Sequence, residues 1–372
     1  MPYTAATVQL LTPEGTLAES EAAEQYLPLI AALTDDQLRD FHRHMVVMRR
    51  FDIEAANLQR QGQLALWIPS IGQEAAQVGS GLATRAQDHV FPAYREHVIA
   101  RIRGVDLLKI IAMLRGLSHG GWDPAEYGNF HLYTLVIGSQ TLHATGYAMG
   151  ITLDGATATG DADSDQAVIV YFGDGASSQG DVSEALVFAA SYQTPQVFFL
   201  QNNHWAISVP VSRQSRTPLY LRPSGFGIPG IQIDGNDVLA SYAVTRENLD
   251  AARSGGGPRF IEALTYRMGA HTTSDDPTKY RADDDLRFWA ERDPIVRFET
   301  YLRGRGESEA FFAEIAVEGD DLASDVRRRV VELVPPAAST MFDHVYSDPH
   351  PLMDEQRAWL AAYEASFEEG AR

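Results

Sequence analysis

Residues Ala167-Val-Ile-Val-Tyr-Phe172 form an unbroken apolar run with a glycine directly behind it. A strand with one face in water alternates apolar and polar residues. A run without alternation belongs to a strand covered on both faces, as in a parallel sheet held between layers of helix. A second run, Gln196 to Leu200, follows a helical stretch from Glu184 to Tyr192 that Pro195 ends. Residues 167 to 201 therefore read as one βαβ unit. Further strands are expected at Ile231 to Ile233 and Phe260 to Tyr266, with a helix containing Leu239 to Val244 between them. Strands alternating with helices predict an α/β fold, a parallel sheet flanked by helices.

The flanking segments carry helical patterns. Thr34-Asp-Asp-Gln37 is a helix-start signal, and Leu38, Phe41, Met45, Met48 and Phe51 then recur at helical spacing. After Gly62, Pro69 and Gly72, small residues from Gln73 to Leu82 suit a closely packed helix. Val105 to Leu114 and Thr141 to Leu153 predict two more. Ser118 to Tyr133, rich in Gly, Trp, Tyr and His, reads as a long loop of the kind that often carries function, and Asp154 to Asp165 as a solvated acidic connection. Residues 1–33 lack a period and predict an extended N-terminal arm, with a single α/β domain over 34–300. Charged helical patterning from about residue 284 suits a C-terminal helical tail over 301–372, ending in Asp354 to Glu369.

With 45% apolar residues in a chain of 372, a sizeable core is available. The formal net charge of −20 leaves no basic stripe for nucleic acid or an anionic membrane surface. A site for an anion must then be assembled locally from arginine, histidine, helix N-termini or metal. Cysteine is absent, which excludes disulfides, thiolate metal sites and a cysteine nucleophile. No apolar run reaches the ~20 residues of a membrane span. Met1 to Glu24 lacks the basic-then-apolar pattern of a secretory signal, so a cytoplasmic enzyme is expected.

The chemistry concentrates behind the two apolar runs. Gly173-Asp174-Gly175 follows the first and Asn202-Asn203 the second. Either alone is an ordinary turn signal. At the carboxyl ends of neighbouring parallel strands, however, both fall where open α/β sheets hold ligands. Glycine lets backbone approach a ligand closely, while the Asp174 carboxylate and the Asn203 amide oxygen are hard donors suited to magnesium. Magnesium, with the amides of the helix beginning near Ser178, suits a diphosphate. A dinucleotide-binding oxidoreductase also contains βαβ units, but its Gly-x-Gly-x-x-Gly fingerprint requires glycine where Ser178 stands. A scaffold that had lost catalysis predicts erosion of the metal donors, and both are present.

The runs Gly173-Asp-Gly-Ala-Ser-Ser-Gln-Gly-Asp181, Phe199-Leu-Gln-Asn-Asn-His-Trp-Ala-Ile-Ser208 and Tyr266-Arg-Met-Gly-Ala-His-Thr-Thr-Ser-Asp-Asp-Pro-Thr-Lys-Tyr-Arg281 extend the pattern. With Ile71-Gly-Gln-Glu-Ala75 and Val90-Phe-Pro-Ala-Tyr-Arg-Glu96, they resemble the alpha subunit of the heterotetrameric thiamin-diphosphate-dependent 2-oxo acid dehydrogenases, over about Leu38 to Tyr301. The resemblance implies a thiamin-diphosphate-binding fold with thiamin diphosphate and magnesium as cofactors. It implies oxidative decarboxylation of a small 2-oxo acid, with acyl transfer to the lipoyl domain of an acyltransferase component. Activity is expected only with a beta subunit, in a heterotetramer of two alpha and two beta, because the family's cofactor-activating glutamate belongs to that partner.

Carried over by position, the resemblance implies that Asp174, Asn203 and the backbone carbonyl of Trp205 bind the metal. Arg95 matches a diphosphate-binding arginine with Tyr94 beside it. Ser139 and the backbone at Thr141 match contacts to the diphosphate and the aminopyrimidine. In the Gly173–Ala176 turn, Gly175 and Ala176 offer amides to phosphate. His271 matches a loop histidine near the reacting carbon, with Arg267, Asp275, Tyr280 and Arg281 around it in the family's order, and implies oxyanion stabilisation or proton transfer. Some members carry Arg where Gln201 stands, which here removes one possible positive contact, and Trp205 stands where others have Tyr. Thr272 stands where mammalian relatives have a phosphorylated serine. Gly138-Ser-Gln-Thr-Leu-His143 and the uninterrupted Thr-Thr-Ser-Asp-Asp-Pro loop look most like bacterial branched-chain members. 2-Oxoisovalerate and its relatives are therefore the expected substrates, with pyruvate as the alternative.

Overall fold

The structure, a computed structural model, describes residues 6–118 and 121–370. Met1 to Ala5 of the expected arm, and His119 and Gly120 of the long loop, lie outside the described residues, as do 371–372 of the expected tail. Seven strands occur among them: β1 His89–Phe91, β2 Val168–Gly173, β3 Gln196–Asn202, β4 Trp205–Ala206, β5 Val209–Pro210, β6 Gly230–Asp234 and β7 Arg259–Leu264. Five form a parallel sheet in the order β1-β2-β3-β7-β6, and β4 with β5 makes a small antiparallel hairpin. In register, Val170 lies beside Phe198 and Gly173 beside Gln201, so the two motif-bearing strands end side by side.

The unbroken apolar run is explained by what lies on each face. Side chains alternate across a strand. Ile169 and Tyr171 join Val197, Phe199 and Ile261 in one core, while Val168, Val170 and Phe172 join Phe198, Leu200 and Phe260 in another. Helices Asp35–Arg60, Glu74–Ala83 and Val238–Arg253 contribute to the first core. Ser139–Leu153 and Gly180–Tyr192 contribute to the second. A polar group on either face would be buried without water, and the one polar atom among the Val168–Phe172 side chains, the Tyr171 hydroxyl, donates to Ser80 Oγ at 3.0 Å.

The long first helix begins as its sequence predicts. Thr34 Oγ1 accepts from the Gln37 N–H at 3.2 Å and the Thr34 N–H donates to Gln37 Oε1 at 2.9 Å, a closed capping box. The small residues of Glu74–Ala83 permit an unusually close helix contact. A Cβ added at Gly79 would lie 2.5 Å from Ser241 Cβ and 2.6 Å from the Val238 carbonyl oxygen. Helix Glu309–Val331 packs on Asp35–Arg60, whereas Pro351–Gly370 meets chiefly the short segment Ala338–Phe342 and leaves Trp359 and Tyr363 exposed.

Two regions differ from the sequence reading. In the N-terminal stretch, Val8 bridges edge strand β6 in parallel, and Leu10 and Leu11 both donate backbone N–H groups to Asp237 Oδ2 at 2.6 Å. It then turns into two short helices, Glu21–Glu24 and Leu27–Ala31, too brief to leave a helical period. Within the long loop, Pro124–Tyr127 forms a 3-10 turn, and Trp122, Phe130 and Tyr133 pack their rings together. That cluster ties the loop to β1, since the Trp122 indole donates to the Phe130 carbonyl and Phe130 bridges Val90.

Gly79→Ala is expected to lower unfolding free energy by about 1–3 kcal/mol, because rigid backbone rather than a flexible side chain opposes the methyl group. Equilibrium denaturation of the variant beside the wild type measures it; an unchanged midpoint would show that the two helices separate freely.

Candidate active site

The carboxyl ends of β1, β2, β3 and β7 feed one cavity of about 250 Å3. Tyr94, Arg95, Gly173, Asp174, Gly175, Ala176, Asn203, Trp205 and His271 line it, nine of the residues singled out in the sequence. Ser139 and Thr141 do not, although their neighbours Gly138 and Gln140 do. Their hydroxyls are turned to local carbonyls, Ser139 Oγ to Val136 at 2.9 Å and Thr141 Oγ1 to Gly138 at 2.7 Å. Their backbone N–H groups turn to the same carbonyls, Ser139 N–H to Val136 at 3.2 Å and Thr141 N–H to Gly138 at 3.0 Å.

The turn behind β2 leaves space rather than filling it. A Cβ at Gly173 would meet no atom within 4 Å, so nothing in the protein's own packing demands glycine there. Gly175 is different, since a Cβ would lie 2.8 Å from that of Ala206 in the β4–β5 hairpin. Asp174 is almost wholly buried, with Oδ2 accepting from Gln214 Nε2 at 2.7 Å. Burial pushes its carboxyl up to about 6, opposed by hydrogen bonds from Gln214 and from the Asn203 backbone. An adjacent cation would hold it ionised.

The Asn-Asn pair shapes the chain behind β3. Asn202 Oδ1 accepts from the His204 N–H at 3.1 Å and Asn203 Oδ1 from the Trp205 N–H at 3.2 Å, two successive side-chain-closed turns. They carry His204 into left-handed backbone at φ 71°. Ile207, at the hairpin tip, is also left-handed at φ 56°, a costly conformation for a β-branched residue. Arg267 Nη2 holds it there through the Ile207 carbonyl at 2.7 Å.

Two guanidiniums dominate the local charge. Arg95 is 5% exposed and Arg267 1%. Arg95 donates to the carbonyls of Pro69 and His271 and makes no ion pair with a carboxylate among the described residues. Glu96, whose ionised form it favours from a distance, accepts instead from the backbone of Ala93 and Arg95. A buried cation without a paired anion is costly, so the pocket is built to receive one. Arg267 donates to Tyr280 Oη at 2.6 Å and reaches the Trp205 carbonyl at 3.4 Å.

His271 sits between these cations. Its Nδ1 lies 3.3 Å from Arg95 Nη2 and 3.5 Å from Arg267 Nη1. Guanidinium nitrogens only donate, so Nδ1 accepts and the ring proton resides on Nε2. Burial, then the Arg95 and Arg267 charges, push its pKa down to about 4, against the pull of Asp275. At neutral pH the ring is uncharged and offers an N–H from Nε2. The Asp275 carboxylate fixes the loop by accepting from the His271 N–H at 2.8 Å and from Tyr280 Oη.

Beneath the cavity runs a buried line of amides that sequence reasoning missed. Asn203 Nδ2 donates to Gln73 Oε1 at 2.9 Å, Gln73 Nε2 to Gln201 Oε1 at 3.0 Å, and Gln201 Nε2 to Glu96 Oε1 at 2.7 Å. Gln201 thus occupies a fixed hydrogen-bonding place. Gln73 and Glu96 lie inside the motifs quoted above, which was the available signal; Gln214 had none.

The donor set fits a divalent cation bridging to an anionic ligand. Among the described residues no three His, Cys, Asp or Glu side chains gather as a metal cluster, so any ion must take mixed oxygen donors and ligand oxygens. Asp174, the Asn203 amide and the Trp205 carbonyl are of that kind, with Arg95 and the Gly175 and Ala176 amides on the anion's side.

Comparisons with known proteins show what the chain as a whole is similar to. The dehydrogenase E1 component family matches residues 42–322. The 3-methyl-2-oxobutanoate dehydrogenase subunit alpha of Mycobacterium tuberculosis is 42% identical over 357 residues, 95% of this chain and 93% of its own. The pyruvate dehydrogenase E1 component subunit alpha of Staphylococcus aureus is 38% identical over 301 residues, 80% of this chain and 77% of its own.

Proposed function

Because the chain belongs to the dehydrogenase E1 component family, among the alpha subunits of the 2-oxo acid dehydrogenases, we propose that it supplies the diphosphate- and magnesium-binding half of a thiamin-diphosphate-dependent decarboxylase. The observation that carries this reading is the pairing of opposite deficits in one cavity. Among the described residues the buried Arg95 makes no ion pair with a carboxylate and the buried Asp174 none with a cation, Glu96 and Arg267 acting on them only from a distance. A magnesium diphosphate satisfies both.

Thiamin diphosphate, when bound, supplies a carbon nucleophile and an electron sink for loss of carbon dioxide from a 2-oxo acid. Asp174, Asn203 and the Trp205 carbonyl would hold the magnesium, and Arg95 with the Gly175 and Ala176 amides the diphosphate. Tyr94 stands edge-on to His271 with ring centres 6.3 Å apart and closes that side of the cavity. His271, neutral and with its proton on Nε2, would steady negative charge on the substrate oxygen by donation rather than by its own charge. The beta subunit would bring the cofactor-activating acid, in a heterotetramer of two alpha and two beta chains, and the acyl group would pass to the lipoyl domain of an acyltransferase. The absence of cysteine suits a reducing, cytoplasmic setting.

A branched-chain substrate of the 3-methyl-2-oxobutanoate type is favoured, because the relative named for it matches nearly the whole chain. Pyruvate, named for the second relative, is the alternative. In the coexpressed heterotetramer, thiamin diphosphate with magnesium should raise the melting temperature, about 2.7 kcal/mol at a hundredfold excess over Kd. Asp174→Ala should abolish that shift. His271→Ala should keep it yet slow lipoyl acylation by about 100-fold; a shift retained by the Asp174 variant would sink the metal assignment. Decarboxylation assays with an artificial electron acceptor should give a higher kcat/KM for 3-methyl-2-oxobutanoate than for pyruvate, and the reverse order would reassign the substrate.

A further inference from the structure

We infer that Glu96 is a positioning residue that sets, through Gln201 and Gln73, which end of the Asn203 amide faces the metal. The inference rests on the cofactor reading above and concerns how this chain orients its neutral metal donor.

Both ends of the line are anchored by backbone N–H groups, which can only donate. At one end, Glu96 Oε2 accepts from the Ala93 N–H at 2.8 Å and the Arg95 N–H at 3.3 Å. At the other, Asn203 Oδ1 accepts from the Trp205 N–H at 3.2 Å. Between them, three amides each donate toward Glu96, from Asn203 to Gln73 to Gln201 to the carboxylate. Glu96, Gln73, Gln201 and Asn203 are all buried, so each must find its partner within the protein.

An amide has a donor end and an acceptor end, whereas a carboxylate only accepts. Glu96 therefore fixes the direction of all three. With Gln201 Nε2 committed to it, Gln201 Oε1 must face Gln73, Gln73 Oε1 must face Asn203, and Asn203 must turn its nitrogen inward. The Asn203 oxygen is left on the side of Trp205 and the cavity, where a hard cation can use it. An arginine at 201 would offer donors but no acceptor, and could not pass the direction on to Gln73.

Reversal of one link has a defined consequence. In Glu96→Gln the new amide must keep its oxygen toward the Ala93 and Arg95 N–H groups, which turns its nitrogen onto Gln201 Nε2. Gln201 and Gln73 then flip in turn and bring Gln73 Nε2 against Asn203 Nδ2. Asn203 is either pushed aside by that clash or turned so that its nitrogen meets the Trp205 N–H and the metal, and its oxygen is lost as a well-placed donor in both cases. Asn203→Asp alone sets a carboxylate against Gln73 Oε1, and the line then has an acceptor at both ends. Combined, the two substitutions satisfy every joint in the reversed direction and again place an oxygen at the metal.

The test is a double-mutant cycle in the coexpressed heterotetramer, measuring the magnesium concentration that half-saturates thiamin diphosphate binding by protein fluorescence. Each single variant should raise that concentration by about 10-fold or more, and the double variant should return to within about 3-fold of the wild type. Melting temperatures without ligand check that each complex is folded. An unchanged value in Glu96→Gln, or a double variant as impaired as the singles, would overturn the relay. If the wild-type complex binds thiamin diphosphate without any dependence on magnesium, the cofactor reading itself fails, and the relay with it.

Discussion

A parallel sheet buried on both faces leaves its ligand-binding loops a single place to go, the edge where the strands end. Here β1, β2, β3 and β7 end together, and the Ala93–Glu96, Gly173–Ala176, Asn202–Ile207 and Tyr266–His271 segments converge on one cavity. The two apolar cores that fix the strands also fix these loops, because Gly173 and Asn202 are the last residues of β2 and β3. Position in the fold thus precedes chemistry, and residues separated by up to 176 positions, such as Arg95 and His271, come within hydrogen-bonding distance.

Charge then decides what can enter. In a chain of net charge −20, Arg95 and Arg267 are sunk beside the cavity while most acidic groups stay outside. Burial first, and then the same two guanidiniums, keep His271 neutral, and the guanidiniums choose its tautomer. Asp174 is the carboxylate the cavity admits beside Glu96, and the latter is fully engaged with donors of the protein itself. The arrangement suits a ligand that brings both an anion and a metal cation, and it is incomplete without them.

What was legible in the sequence was what local pattern controls. The doubly buried strands announced themselves through unbroken apolar runs, and Asp174 and Asn203 were found because they stand directly behind those runs. β1 left no such trace, since three residues are too few for a pattern. Ser139 and the backbone at Thr141 were placed by motif, but neither residue lines the cavity, and the Ser139 hydroxyl and the Thr141 N–H engage nearby carbonyls. The amide line was invisible for a different reason: Gln201 meets Gln73 across 128 positions and Glu96 across 105. Gln201, which read as the loss of a positive contact, is an acceptor and donor in series that arginine could not replace.

The claim on which the functional reading turns is that Asp174 binds a divalent ion in direct contact with the cofactor's diphosphate. Manganese can replace magnesium as a paramagnetic reporter, and in electron–nuclear double resonance a strong phosphorus coupling arises only from a phosphate whose oxygen is bound directly to the ion. In the heterotetramer loaded with manganese and thiamin diphosphate, a phosphorus coupling is expected, and Asp174→Ala should remove both the bound manganese signal and the coupling. Manganese bound without phosphorus coupling, or a coupling that survives the substitution, would contradict the assignment.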